Sequence, residues 1–170
     1  QRQMCIRDSV DRFSTLLQTA VSEKAFPGGV LLAAKDGEIF FHDAFGFHTY
    51  DKKRKMRKSD IFDLASISKV VGTTSAVMKM YDDKLIDLDD KVVTYLPQFK
   101  GQQKKYFNHK SNISIKHLLT HSSGLPPFRK YFLMDEYKES VLDSIYNTEP
   151  VYDLEEKTVY SDVGIITLGK

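Results

Sequence analysis

At 170 residues, 41% of them hydrophobic, 12% aromatic and 28% charged, the chain has a globular composition and length enough to bury one core. Its net charge of +2 gives no reason to expect nucleic acid as the main partner. No apolar run reaches the roughly 20 residues of a membrane-spanning helix, and the single cysteine, Cys5, excludes an internal disulfide.

Gln1 to Ser9 lack the apolar stretch of a signal peptide and fit no motif that follows. They are set aside as a non-native or disordered leader, and residues 10–170 are read as the N-terminal part of one domain. From Val10 to Val21, apolar Val10, Phe13, Leu16, Leu17, Ala20 and Val21 recur at spacings of three and four, which predicts an amphipathic helix. After Pro27-Gly28-Gly29, the apolar run Val30–Ala34 and the β-rich run Glu38–Phe47 flank Asp36-Gly37, the signal of an antiparallel hairpin. The basic run Lys52-Lys53-Arg54-Lys55, with Arg57 and Lys58 behind it, is read as a solvated loop rather than a nucleic-acid patch.

Ser66 to about Tyr81 reads as helical despite Gly72, with Val70, Val71, Val77 and Met78 suited to burial. A short helix is expected up to Leu96, before Pro97, then a polar loop over 100–112. Ile113–Thr120 resumes a helical pattern that stops at Ser122-Ser123-Gly124. Met134–Tyr146 is predicted helical, and Ile165, Ile166 and Leu168 open a last helix. A hairpin followed mainly by helices predicts an α+β fold, with antiparallel hairpin strands of an incomplete sheet packed with a mainly helical region. Two strands alone support a sheet poorly, so the domain is expected to continue past Lys170.

Ser66-Ile67-Ser68-Lys69 is the one Ser-x-x-Lys in the chain. A serine hydroxyl is a weak nucleophile until a neighbouring group takes its proton. Positions three apart share a helix face, so the Lys69 amine can reach the Ser66 oxygen. A serine in the first turn also meets the positive end of the helix dipole, which favours developing negative charge. Far downstream, Tyr160-Ser161-Asp162 supplies a phenol that can act as a general base if ammonium groups lower its pKa.

Taken together these segments resemble a known family. Asp-Leu-Ala-Ser-Ile-Ser-Lys, ending at Lys69, resembles the first motif of the class C-type β-lactamase and penicillin-binding-protein family. His-Leu-Leu-Thr-His-Ser-Ser-Gly-Leu, from His117 to Leu125, is similar to that family's His-Leu-Leu-Thr-His-x-Ser-Gly-Leu signature, and Tyr160-Ser161-Asp162 stands in the place of its Tyr-x-Asn motif. Pro27 to Gly37 resembles its N-terminal strand pair, and Leu85 to Pro97 its Leu-x-Leu-Asp-Asp…Tyr-Leu-Pro stretch.

The resemblance implies a β-lactamase/transpeptidase-like fold and a serine hydrolase working through an acyl-enzyme. Ser66 would attack an amide or ester carbonyl, Lys69 and Tyr160 would share the proton transfers, and Asp162 would face the substrate. The Ser66 N–H would be one oxyanion donor. It further implies a small-molecule or peptidoglycan-type peptide or ester substrate, no cofactor, and an exported, cell-envelope location.

Two departures stand out. Asp162 replaces the usual asparagine, and an ionised carboxylate cannot donate the amide hydrogen bond. The family's third motif, Lys or His followed by a residue and Gly on a later strand, is not among these 170 residues. The 170-residue chain is therefore expected to be inactive. Nitrocefin and p-nitrophenyl-ester assays test this: turnover that Ser66→Ala abolishes would refute it.

Rival readings are weaker. His117 and His121 have the i, i+4 spacing of a zinc pair, yet Leu118 stands where a metallopeptidase needs glutamate and no third ligand is evident. Asp87, Asp89 and Asp90 alternate like calcium ligands, without the glycine and terminal glutamate of an EF-hand loop. The remaining alternative is a non-catalytic module that recognises peptidoglycan or a protein partner, kept open by Asp162.

Overall fold

The computed structural model describes residues 2–100, 109–133 and 138–170. They form two compact units, Gln1–Asp63 and Leu64–Lys170.

The first unit opens with α1 (Arg2–Ser22), which starts eight residues before the predicted Val10. Val10, Leu17, Ala20 and Val21 are half-buried along it, while Phe13 and Leu16 are exposed. The predicted hairpin follows as β1 (Gly28–Lys35) and β2 (Glu38–Gly46), antiparallel, in register from Gly28 opposite Gly46 to Lys35 opposite Glu38. Asp36 and Gly37 have φ of +53° and +81°. Two left-handed residues in succession make the tight connection whose twist matches paired strands. Ala33 pairs with Phe41 but Ala34 with Ile39, so Phe40 is the extra residue of a bulge. Phe41 and Phe45 are buried, with ring centroids 6.3 Å apart.

The basic run is a loop, as the sequence predicts. It is organised by Asp60, whose carboxylate accepts from the Arg57 N–H (2.7 Å), Arg54 Nη2 (2.9 Å) and His48 Nε2 (2.8 Å). Lys53 and Lys58 pair with Asp51 and Asp43 at exposed positions. The run is thus partly neutralised by its own loop.

In the second unit, a π-helical turn, Lys69–Thr74, runs directly into α2 (Ser75–Asp82). Here the sequence expectation needs correcting. Val77 is 6% exposed, but Val70, Val71 and Met78 are 62%, 61% and 66% exposed. The covered stripe is Lys69, Thr73, Thr74 and Val77, spaced for one side of the helix. Turning Lys69 inward leaves the apolar stripe of Val70, Val71 and Met78 outside.

Asp87 and Asp90 cap their own turn: Asp90 Oδ2 accepts from the Asp87 N–H (2.7 Å) and the Tyr95 hydroxyl (2.6 Å). This is the carboxylate-capped turn favoured by aspartate. Next come α3 (Val92–Tyr95), a 3₁₀ turn at Pro97–Lys100, α4 (Ile115–Leu119), α5 (Lys138–Tyr146) and α6 (Asp162–Leu168). The predicted helix over 134–146 is seen from Lys138; residues 134–137 lie outside the described ones, as does 101–108 of the predicted polar loop. Residues 109–112 are helical rather than loop. The core of the unit is Val92, Phe99, Ile113, Leu118, Leu125, Ile145, Tyr146 and Val163, with α4 against α6.

Lys110 explains why 109–112 are drawn in. Its side chain is 2% exposed. The ammonium lies 4.5 Å over the Phe99 ring and donates to the Tyr146 and Thr148 carbonyls at the end of α5. Burial pulls its pKa down to about 8. With the folded pKa below the unfolded one (about 10.4), the unfolded chain binds more protons between these values, so stability rises with pH across that window. Thermal unfolding of wild type against Lys110→Met should show this: a melting temperature that climbs from pH 8 to 10 relative to the variant. A parallel pair of curves would count against it.

Candidate active site

Ser66 follows Ala65, whose φ of +43° is uncommon for a residue with a side chain. Three tight turn bonds follow: Ile67 N–H to the Leu64 carbonyl, Ser68 N–H to Ala65 and Lys69 N–H to Ser66. The N–H of Ser66 is not among these donors. The strained entry presents the hydroxyl at the head of the helix, and one turn on Lys69 Nζ donates to Ser66 Oγ at 3.2 Å.

The other wall is built by two segments zipped together. Gly124 O accepts from Val151 N–H (2.8 Å) and Tyr152 N–H (3.3 Å), Ser122 O from Glu155 N–H (2.9 Å) and His121 O from Val159 N–H (2.9 Å). Gly124 has φ +75°, and a Cβ there would stand 2.3 Å from the Tyr152 carbonyl oxygen, so no other residue fits. The zipper ends at Ser161, a buried residue with two tasks. Its Oγ accepts from the Gly164 N–H at 3.0 Å as the N-cap of α6. It also donates to the Pro126 carbonyl at 2.7 Å. Together with Asp162 N–H to the Pro127 carbonyl (2.8 Å), these bonds fix residues 160–162.

The four residues singled out in the sequence thus come together. Lys69 Nζ is 3.0 Å from Asp162 Oδ1 and 5.3 Å from the centre of the Tyr160 ring. Asp162 Oδ1 is buried and faces the Lys69 ammonium as an ion pair. The hydrogen-bonding groups of Tyr160 and Asp162 raise the Lys69 pKa above the ordinary lysine value. The Ser66 hydroxyl and the Lys69 ammonium lower that of the half-exposed Tyr160 phenol.

A family model described as beta-lactamase matches residues 13–170. The chain belongs to the beta-lactamase family.

Among relatives of this beta-lactamase-family chain, an N-acetylmuramyl-L-alanine amidase of Bacillus subtilis is 31% identical over 85% of the chain and 36% of that protein. Penicillin-binding protein 4* of the same organism is 30% identical over 91% of the chain and 34% of its own length. The solved structure of EstCE1, a hydrolase with promiscuous acyltransferase activity, superposes with a TM-score of 0.76 at 24% identity. It covers 97% of this chain and 47% of EstCE1. The chain spans about a third of the length of the curated relatives it matches. Its α+β fold is the β-lactamase/transpeptidase-like one.

The rival sites resolve into local structure. His117 Nδ1 accepts from the Ser114 N–H at 3.0 Å and Ser114 Oγ from the His117 N–H at 3.4 Å, a capping box at the start of α4, while His117 Nε2 meets Glu155 at 3.1 Å. Among the described residues no cluster of three His, Cys, Asp or Glu has a metal-holding arrangement, and no helix is long and apolar enough to cross a membrane. His121 is the residue the sequence reading undervalued. Its Nδ1 accepts from the Ser161 N–H at 3.1 Å and its ring lies 4.7 Å from that of Tyr160.

Proposed function

We propose that the whole protein is a serine hydrolase in which Ser66 is the nucleophile, Tyr160 the general base and Lys69 a permanent ammonium. One observation carries the reading: a serine hydroxyl 3.2 Å from an ammonium, with a phenol beside both whose pKa they lower. The neighbours push the lysine up and the tyrosine down, which separates the roles. A phenol made easier to ionise beside an amine made harder to deprotonate suits the phenol to the base's part.

Tyr160 phenolate takes the Ser66 proton as Oγ attacks the carbonyl carbon of an amide or ester. The oxyanion formed faces the Ser66 N–H, a donor of the kind that contributes a few kcal/mol to the transition state. Collapse breaks the C–N or C–O bond, and the leaving group takes the proton from Tyr160. The acyl group stays on Ser66 until water, deprotonated by the same phenolate, displaces it and restores the hydroxyl.

The substrate class proposed is a peptidoglycan-type peptide, a small ester or a β-lactam, met in the cell envelope. The names of the two Bacillus relatives support a cell-wall setting, and that of EstCE1 supports acyl transfer. Intact mass and peptide mapping after a fluorophosphonate test the reading. One adduct on Ser66 supports it, and no adduct at any pH supports instead a binding module for peptidoglycan or a protein partner, the alternative that Asp162 keeps open.

A further inference from the structure

His121 touches three consecutive parts of the Tyr160 segment. Its carbonyl accepts from the Val159 N–H at 2.9 Å, its Nδ1 accepts from the Ser161 N–H at 3.1 Å, and its ring lies against Tyr160 with centroids 4.7 Å apart and planes tilted by 43°. The backbone of His121 is itself left-handed, with φ +57°. Non-glycine residues hold that conformation when their surroundings require it. An imidazole nitrogen that accepts from a backbone N–H carries no proton, so the ring is neutral, with its hydrogen on Nε2.

A proton on Nδ1 would turn that acceptor into a donor facing another donor. Ser161 is buried, so its N–H has no water to turn to. The charged groups that face the ring are Asp162 at the start of α6 and Lys69 in the π turn, with the phenol of Tyr160 beside them. Burial is the larger influence and opposes protonation, Asp162 favours it and Lys69 opposes it.

We propose that His121 is a positioning residue: its neutral imidazole, accepting from the Ser161 amide and lying against Tyr160, holds the phenol at the Ser66–Lys69 pair, and a proton at Nδ1 releases it. The consequence for rate rests on the hydrolase reading; the positioning itself does not. Activity then falls on the acid side with the midpoint of His121, a group that never meets the substrate.

The test compares wild type with His121→Asn and His121→Phe from pH 4 to 8. Asparagine places an oxygen acceptor near the Nδ1 position, tolerates a left-handed backbone and does not titrate. Phenylalanine keeps a ring and has no acceptor. Two readouts are followed: the Ser161 amide and Tyr160 Cζ chemical shifts, and the rate of fluorophosphonate attachment to Ser66.

In wild type, both shifts should follow the His121 imidazole titration, with a midpoint below the ordinary histidine value, and labelling should slow about tenfold across it. His121→Phe should slow labelling about tenfold at every pH. His121→Asn should recover most of that loss and remove the step that follows the imidazole, leaving the rise that belongs to Tyr160. Shifts that ignore the imidazole titration, or a step in labelling at the wild-type imidazole midpoint that persists in His121→Asn, overturn the proposal. Co-titrating shifts with no label on Ser66 at any pH would uphold the positioning and defeat the hydrolase reading instead.

Discussion

Ser66→Ala in the whole protein removes fluorophosphonate labelling altogether and lowers ester hydrolysis by about four orders of magnitude or more, the scale on which nucleophile deletions act in serine hydrolases. Ser68, the other serine of the motif, does not replace the lost nucleophile. Ser68 is two residues on, and the i, i+3 relation that brings Lys69 to Ser66 does not extend to it. Tyr160→Phe keeps the ring against His121 and deletes the base, so hydrolysis drops about 10²–10⁴-fold while the fold stays intact.

The pH dependence separates the two partners. Tyr160 ionises below the ordinary tyrosine value because Ser66 and Lys69 surround its oxygen. Activity therefore rises with pH through that lowered midpoint, and Tyr160→Phe flattens the rise. If the lysine were the base instead, its raised pKa would place the rise above the ordinary lysine value. Stopped-flow labelling between pH 6 and 11 distinguishes the two. A rise that survives Tyr160→Phe would remove the phenol from the mechanism.

The second large effect is expected at Asp162. Its carboxylate stands 3.0 Å from the Lys69 ammonium and offsets a positive charge that would otherwise face the substrate. Asparagine there would donate where aspartate only accepts. A hydrogen bond between a neutral donor and a charged group is worth about 1.5–3 kcal/mol, and repulsion of an anionic ligand is lifted at the same time. Asp162→Asn should thus accelerate acylation by anionic β-lactams roughly 10- to 100-fold relative to a neutral p-nitrophenyl ester.

Two titrations accompany the change. Asp162 raises Lys69 and also opposes ionisation of Tyr160. Its loss lowers both, which shifts the rise in activity to lower pH. A ratio of β-lactam to ester acylation that stays the same in the variant would show that Asp162 does not select by charge.

Much of this was legible in the residues. Asp36-Gly37 between two β-rich runs announced the hairpin because its chemistry is local: two left-handed residues in a row. The Ser66–Lys69 contact was readable from helical spacing alone, and the juxtaposition of that pair with Tyr160 and Asp162 from the resemblance. Long-range choices were not readable. Periodicity marks Val70, Val71 and Met78 as one face of a helix, but only the docking of Lys69 against Asp162 decides that this face points outward. The four-residue spacing of His117 and His121 suggests a shared ligand, whereas each ring serves a different backbone amide, one at Ser114 and one at Ser161. Lys110 sat unnoticed in a polar stretch because its carbonyl partners lie 36 and 38 positions away.

The π turn from Lys69 to Thr74 has a corollary for insertions and deletions. A widened turn of this kind takes up one residue beyond an ordinary α-helical coil. An ordinary α turn would absorb the loss of a single position such as Gly72, but one further insertion, with the slack already taken up, would swing everything before it by about 100° around the axis, one residue's share of a 3.6-residue turn. The amine and hydroxyl would then travel together to the wrong side, still adjacent to each other yet parted from the phenol. The spacing within this widened coil is accordingly as much a component of the chemistry as the side chains it carries.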